Sequence, residues 1–141
     1  MSIKYEKNVM TGEILSSMRN LAGWGGTSVL KAGTALKNTP FSITAFDRGT
    51  VIGTGRIIGD GALIWYIQDV IVLPEYQGKG IGTEIMNYLI EYAKSNSVPN
   101  EGVTIALMSA KGKEPFYQKL GFHTRPNDRE GSGMINFAAT I

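Results

Sequence analysis

The chain contains no cysteine and one histidine, His123, in 141 residues. The first absence excludes disulfides, thiolate-bound metals and a thiol nucleophile, and with one histidine no protein-built zinc centre and no metal is expected. Long apolar stretches are also missing. No run reaches the about 18 residues a membrane helix needs, and Met1-Ser2-Ile3-Lys4-Tyr5-Glu6-Lys7 lacks the apolar core of a signal peptide. Charge of one sign is scarce: 14 Lys and Arg against 12 Asp and Glu leave a net +2, and no basic cluster is interleaved with aromatics. That excludes a nucleic-acid surface and gives no membrane partner. Absence of cysteine fits a reducing compartment, so the expectation is a soluble, cytoplasmic protein. With 43% hydrophobic residues and no low-complexity stretch, the chain has material for one core, read as a single domain over residues 1–141.

Glycine, in contrast, is plentiful, and three glycines fall in the run Tyr76-Gln77-Gly78-Lys79-Gly80-Ile81-Gly82. Before it, Leu63 to Leu73 is rich in β-branched and aromatic residues and is closed by Pro74, as a strand would be. After it, Ile81, Ile85, Met86, Leu89, Ile90 and Ala93 recur at helical spacing, with Lys79, Glu84, Asn87, Glu91 and Lys94 between them. The glycines therefore sit where a strand becomes a helix. The first amides of a helix have no partner within it, and the macrodipole adds positive charge there, so such an entrance favours an anion. The plain alternative is a tight turn. The P-loop pattern fails because Ile81-Gly82-Thr83 stands where Lys-Ser/Thr is required, and the dinucleotide fingerprint fails on spacing.

Gln77-x-x-Gly80-x-Gly82 after Val70-Ile71-Val72 resembles the acyl-CoA pyrophosphate loop of the GCN5-related N-acetyltransferase (GNAT) superfamily. A second segment supports the resemblance. Glu114-Pro115-Phe116-Tyr117-Gln118-Lys119-Leu120-Gly121-Phe122 reads as a short helix with Pro115 in its first turn and Gly121 as a left-handed cap, preceded by a strand over Val103 to Met108. Its Phe-Tyr-x-Lys-Leu-Gly-Phe ending is similar to the one that follows the fifth strand in that superfamily.

Elsewhere the reading is coarser. Ile3 to Asn8 is an edge strand, and Ile14, Leu15, Met18, Leu21 and Ala22 form a helical stripe ending at Gly23. Thr27 or Ser28 caps a second helix, and Phe41 to Phe46 with Val51 to Ile58 form a hairpin about Asp47-Arg48-Gly49. Phe122 and Met134 to Ala139 supply two last strands. The resemblance implies that this is an α/β fold: a mixed, mostly antiparallel sheet with one splayed parallel strand pair and helices on both faces.

The resemblance also implies roles. Acetyl-CoA is the co-substrate: Val70, Ile71 and Val72 pair with its pantetheine arm, and Gln77, Gly78, Lys79, Gly80, Ile81 and Gly82 hold its pyrophosphate. Lys79, Lys111 or Lys113 meets the 3′-phosphate or is solvated surface. Tyr117 matches the family's catalytic tyrosine, a general acid toward the leaving thiolate, against the alternative of a packed aromatic. Many relatives carry an asparagine seven positions earlier, where this chain has Ala110. Trp24, Tyr66 and Gln68 fall on the acceptor side, Trp24 either stacking on an amine or serving the core. Strict alternation puts Tyr66 and Gln68 on one face and Ile67 and Asp69 on the other. Asp69 is the nearest carboxylate for a general base, with a hydrogen-bonded structural aspartate or a water relay as the alternatives, and His123 is exposed or structural.

The implied function is acetyl transfer from acetyl-CoA to a primary amine of a small molecule, by direct attack in a ternary complex. The alternative is a non-catalytic acyl-CoA sensor acting through a protein partner. A homodimer is the default assembly.

Overall fold

A computed structural model describes residues 1–141, which divide into two compact units, residues 1–107 and 108–141. The first unit holds β1 (Ile3–Lys7), α1 (Gly12–Leu21), α2 (Val29–Lys37), β2 (Phe41–Asp47), β3 (Thr50–Gly59), β4 (Ile64–Val72), α3 (Ile81–Ser95) and β5 (Thr104–Ala106). One turn of 3₁₀ helix, Pro74–Tyr76, links β4 to the glycine run. The strands lie in the order β1-β2-β3-β4-β5, antiparallel except for the parallel pair β4 and β5. This is the mixed sheet expected.

Local chemistry explains the helix starts. Thr11 accepts from the Ile14 amide at 3.2 Å to open α1, and Ser28 accepts from the Lys31 amide at 3.0 Å to open α2. Between these helices Met10, Leu15 and Ala32 form a small apolar cluster flanked by Ile14 and Leu36. The stripe of α3 puts Ile81, Ile85, Met86, Leu89 and Ala93 into the core. Fully burying side chains such as Ile85, Met86 and Leu89 contributes about 1.5–3 kcal/mol each.

Helix α3 approaches the sheet closely because β3 carries Gly53 and Gly55 beneath it. A Cβ at Gly55 would lie 2.6 Å from Ile85 Cγ2 and 3.0 Å from Leu89 Cδ1. Gly55→Ala is therefore expected to cost about 1–3 kcal/mol by overpacking, read as a lower urea midpoint with unchanged slope. An unchanged midpoint would show that α3 shifts freely on the sheet.

In the second unit α4 (Glu114–Gln118) follows the predicted chemistry, with Pro115 in its first turn and Gly121 at φ 98° just beyond it. The Phe122 amide closes the cap on the Tyr117 carbonyl at 3.2 Å. The two final strands expected at Phe122 and Met134 to Ala139 do not form, and β5 is three residues rather than six. From His123 the chain runs into a turn in which Asn127 Oδ1 accepts from the Arg129 and Glu130 amides. Met134 and Phe137 stand 88% and 90% exposed, so no burial rewards an extended pairing there.

Candidate functional site

The glycine run is pinned at its start and open beyond. Tyr76 donates its hydroxyl to Asp47 Oδ2 at 2.6 Å, tying the 3₁₀ turn to the end of β2 and holding the Asp47 carboxyl below its usual range. Gln77 spends its amide on the Pro74 carbonyl at 3.2 Å and its Nε2 on the Val72 carbonyl at 2.9 Å. From Gly78 to Thr83 no amide donates to any protein group, and α3 has no side-chain cap. Gly78 and Gly80 take φ of 75° and 84°, backbone that a side chain would strain. The result is an entrance of six consecutive free N–H groups at the positive end of a 15-residue helix. Lys79 is exposed, its Nζ 5.6 Å from the Tyr76 ring centre.

Beside this entrance β4 has an open edge. It pairs with β5 only through Ile64, Trp65 and Tyr66, so residues 67 to 72 have no strand on that side. The Leu73 amide bonds the Ile52 carbonyl on β3 at 2.9 Å. By strand alternation the main chain of Ile71 also turns toward β3, leaving Val70 and Val72 to face the open edge.

A bulge sits at the start of that edge. Thr54 pairs with Ile71 and Arg56 with Gln68, so Gly55 alone opposes Asp69 and Val70. Asp69 takes φ 56° and its carbonyl accepts from Thr54 Oγ1 at 3.1 Å. The extra residue overturns strict alternation: Asp69 points to the face of Gln68 and Arg56, not away from it. There its carboxylate, wholly buried, is bonded by Arg19 Nη1 through one oxygen and by Arg56 Nε at 2.6 Å through the other. A carboxylate covered and bonded at both oxygens braces the bulge; it is not placed to take a proton from an acceptor. Sequence reading missed Arg19 and Arg56, although a lone cation among the β-branched residues of β3 requires a buried partner.

Trp24 is 43% exposed, which excludes the core alternative. Its amide bonds the Arg19 carbonyl at 3.0 Å and its ring centre lies 5.5 Å from the Arg19 guanidinium carbon. Tyr66 and Gln68 are half-buried on β4, and burial raises the Tyr66 phenol above its ordinary range. Trp24, Arg19, Asp69 and Arg56 thus form one connected group on the α1 face of the sheet, with Gln68 opposite Arg56 in the ladder.

In the second unit, Tyr117 is half-buried between Phe116 and Phe122, with ring centres 5.0 and 6.2 Å away, and burial raises its pKa. Its phenol stays protonated at neutral pH, a proton donor and not a base. His123 is exposed and pairs with Glu130 at 2.8 Å. Lys111 and Lys113 are exposed, and Ala110 offers no side-chain contact to a ligand. No group of three or more His, Cys, Asp or Glu is placed to hold a metal ion, and no helix is long and apolar enough to cross a membrane.

Comparison with known proteins agrees with this geometry. The profile of the Acetyltransferase (GNAT) family matches residues 16–122. The chain is 28% identical over 129 residues to the uncharacterised N-acetyltransferase ycf52 of Pyropia yezoensis, spanning 89% of this chain and 71% of that one. Among solved structures, a protein of unknown function from meticillin-resistant Staphylococcus aureus superposes with a TM-score of 0.83 at 31% identity, over 96% of this chain and all (100%) of that one. A GNAT-family acetyltransferase of Streptococcus pneumoniae superposes with a TM-score of 0.77 at 26% identity, over 99% and 100% of the two chains. A sheet opened beside a glycine-lined helix entrance, a matching profile and these neighbours lead to one conclusion: the chain belongs to the GNAT family of acetyltransferases.

Proposed function

We propose that this chain transfers an acetyl group from acetyl-CoA to a primary amine of a small molecule, by direct attack in a ternary complex. The observation that carries the reading is the row of unpaired amides from Gly78 to Thr83 beside the unpaired edge of β4. A diphosphate satisfies helix-entrance amides better than water does, because its charge also meets the macrodipole. Val70 and Val72 offer main-chain groups to an extended amide-bearing arm, although Gln77 already occupies the Val72 carbonyl. Bound acetyl-CoA supplies an activated thioester. Tyr117 donates the proton that the departing sulfur needs, and Gln68 and Tyr66 orient water that carries the acceptor's proton away. With Asp69 bonded to two arginines, no side-chain base is assigned.

A thermal-shift titration tests the reading. At acetyl-CoA about 100 times its Kd, binding adds about 2.7 kcal/mol, which for a chain of this size raises Tm by roughly 5–10 °C. Free coenzyme A is expected to give a shift of similar size, because the diphosphate contact is shared. No shift with either compound would sink the proposal.

A further inference from the structure

Arg19 and Arg56 share a single carboxylate. Two guanidinium groups against Asp69 leave one uncompensated positive charge, and no other carboxylate lies within ion-pair distance of either arginine. The surplus is not spread evenly. Arg56 is 11% exposed and spends Nε on Asp69 and Nη1 on Thr39 Oγ1 at 3.1 Å. Arg19 is 27% exposed and bonds Thr27 Oγ1 through Nε at 2.9 Å and Asp69 through Nη1; Nη2 of either arginine donates to no protein group, and that of Arg19 belongs to the more exposed side chain.

Arg19 is also held in place. Thr27, which receives its Nε, is itself fixed by Ser16 Oγ donating to the Thr27 carbonyl at 2.6 Å. Trp24 lies against the guanidinium. An ordinary surface arginine loses rotamer freedom when it captures a ligand, whereas most of that cost is already met here by folding. The unused Nη2 offers charge-assisted N–H donors to a carboxylate or phosphate oxygen. Arg19 is bonded to Asp69, the residue before Val70, on the strand that carries the open edge.

We propose that the acceptor is an amine bearing an anionic group, a carboxylate or a phosphate, which Arg19 receives with Trp24 forming a wall beside it. The inference rests on the acetyltransferase reading above and names its substrate class. Polyamines, with several positive charges and no anion, meet repulsion at the same place.

The test compares acceptors that differ only in the anion: tyrosine with tyramine for carboxylate, and O-phosphoethanolamine with ethanolamine for phosphate, with spermidine as the polycation. Coenzyme A release gives kcat/KM, and calorimetric titration of the same compounds gives binding without turnover. At least one anionic member is expected to exceed its partner lacking the anion about tenfold or more in kcat/KM and in affinity, and the arm that does so identifies the anion. Arg19→Met is expected to collapse that ratio toward one, and Arg19→Lys to leave it intermediate; Trp24→Ala, which spares the ion pairs, is expected to weaken anionic acceptors severalfold through KM. Equal or better use of both tyramine and ethanolamine than of their anionic counterparts, or of spermidine than of every anionic acceptor, would overturn the inference while leaving the transferase reading intact. Absence of turnover with every compound counts against the transferase reading, and calorimetry then decides the inference alone: Arg19-dependent preference for the anionic member sustains it, and no preference overturns it.

Discussion

Tyr117→Phe is expected to lower kcat for the proposed acetyl transfer by about 10²- to 10³-fold, within the range that general acid catalysis supplies, and to leave acetyl-CoA affinity within about twofold. The substitution removes one hydroxyl and keeps the ring that packs between Phe116 and Phe122. Loss of stability is therefore small, and loss of rate reports on the proton. The sign of the pH dependence follows from the raised pKa of Tyr117, whose cause is burial. A proton donor is competent below its pKa and lost as pH rises through it. The wild-type rate is thus expected to show no fall attributable to this group until pH passes the ordinary tyrosine value near 10. Any decline toward acid belongs instead to protonation of the acceptor amine. If Tyr117→Phe retained kcat within about threefold, the departing sulfur would have to receive its proton from water, and Tyr117 would be a packing residue.

The parts of this molecule legible from sequence are those governed by short-range rules. The switch from β-branched Leu63–Leu73 to the helical spacing of Ile81–Ala93 needs only periodicity, and it locates both the strand and the helix entrance between them. Ser28, one of the two caps offered with Thr27, opens α2 through capping chemistry, whereas the Thr11 cap of α1 went unread. What was illegible depends on pairing across the sheet. Nothing in Gln68-Asp69-Val70 announces a bulge, because the extra residue is defined by its partner Gly55 on another strand. Misplacing that one residue turns Asp69 to the wrong face and hides the two arginines that make it the structural carboxylate the sequence offered beside a base. The same limit explains Met134 to Ala139, whose composition suits a strand but whose side chains stand exposed and unpaired. Arg19 and Arg56, 37 positions apart, are joined only through Asp69, so neither reads as part of a site from its neighbours in the chain.

Asp69→Ala is expected to be the most destabilising single change on the α1 face, about 2–4 kcal/mol. Three terms act together. Both arginines lose their shared anion; breaking a buried pair costs about 3–5 kcal/mol, reduced here because Arg19 keeps access to water. The bulge loses a residue that tolerates positive φ, and Ala at φ 56° adds strain. The side-chain link between α1 and β4 disappears. For a chain of this length the sum lowers Tm by roughly 5–15 °C. Asp69→Asn separates these terms, since it keeps the shape and the tolerance of the left-handed region while removing the charge. Its Tm is expected between the wild-type and Asp69→Ala values, nearer to the latter if charge dominates. Addition of the double variant Arg19→Met, Asp69→Ala closes a cycle: coupling of more than about 1 kcal/mol between the two sites is the expected result for residues in one ion-pair network. Additive effects would mean that the pair contributes nothing beyond two independent side chains, and the bulge would then be held by the Thr54 hydroxyl and the β3 ladder alone.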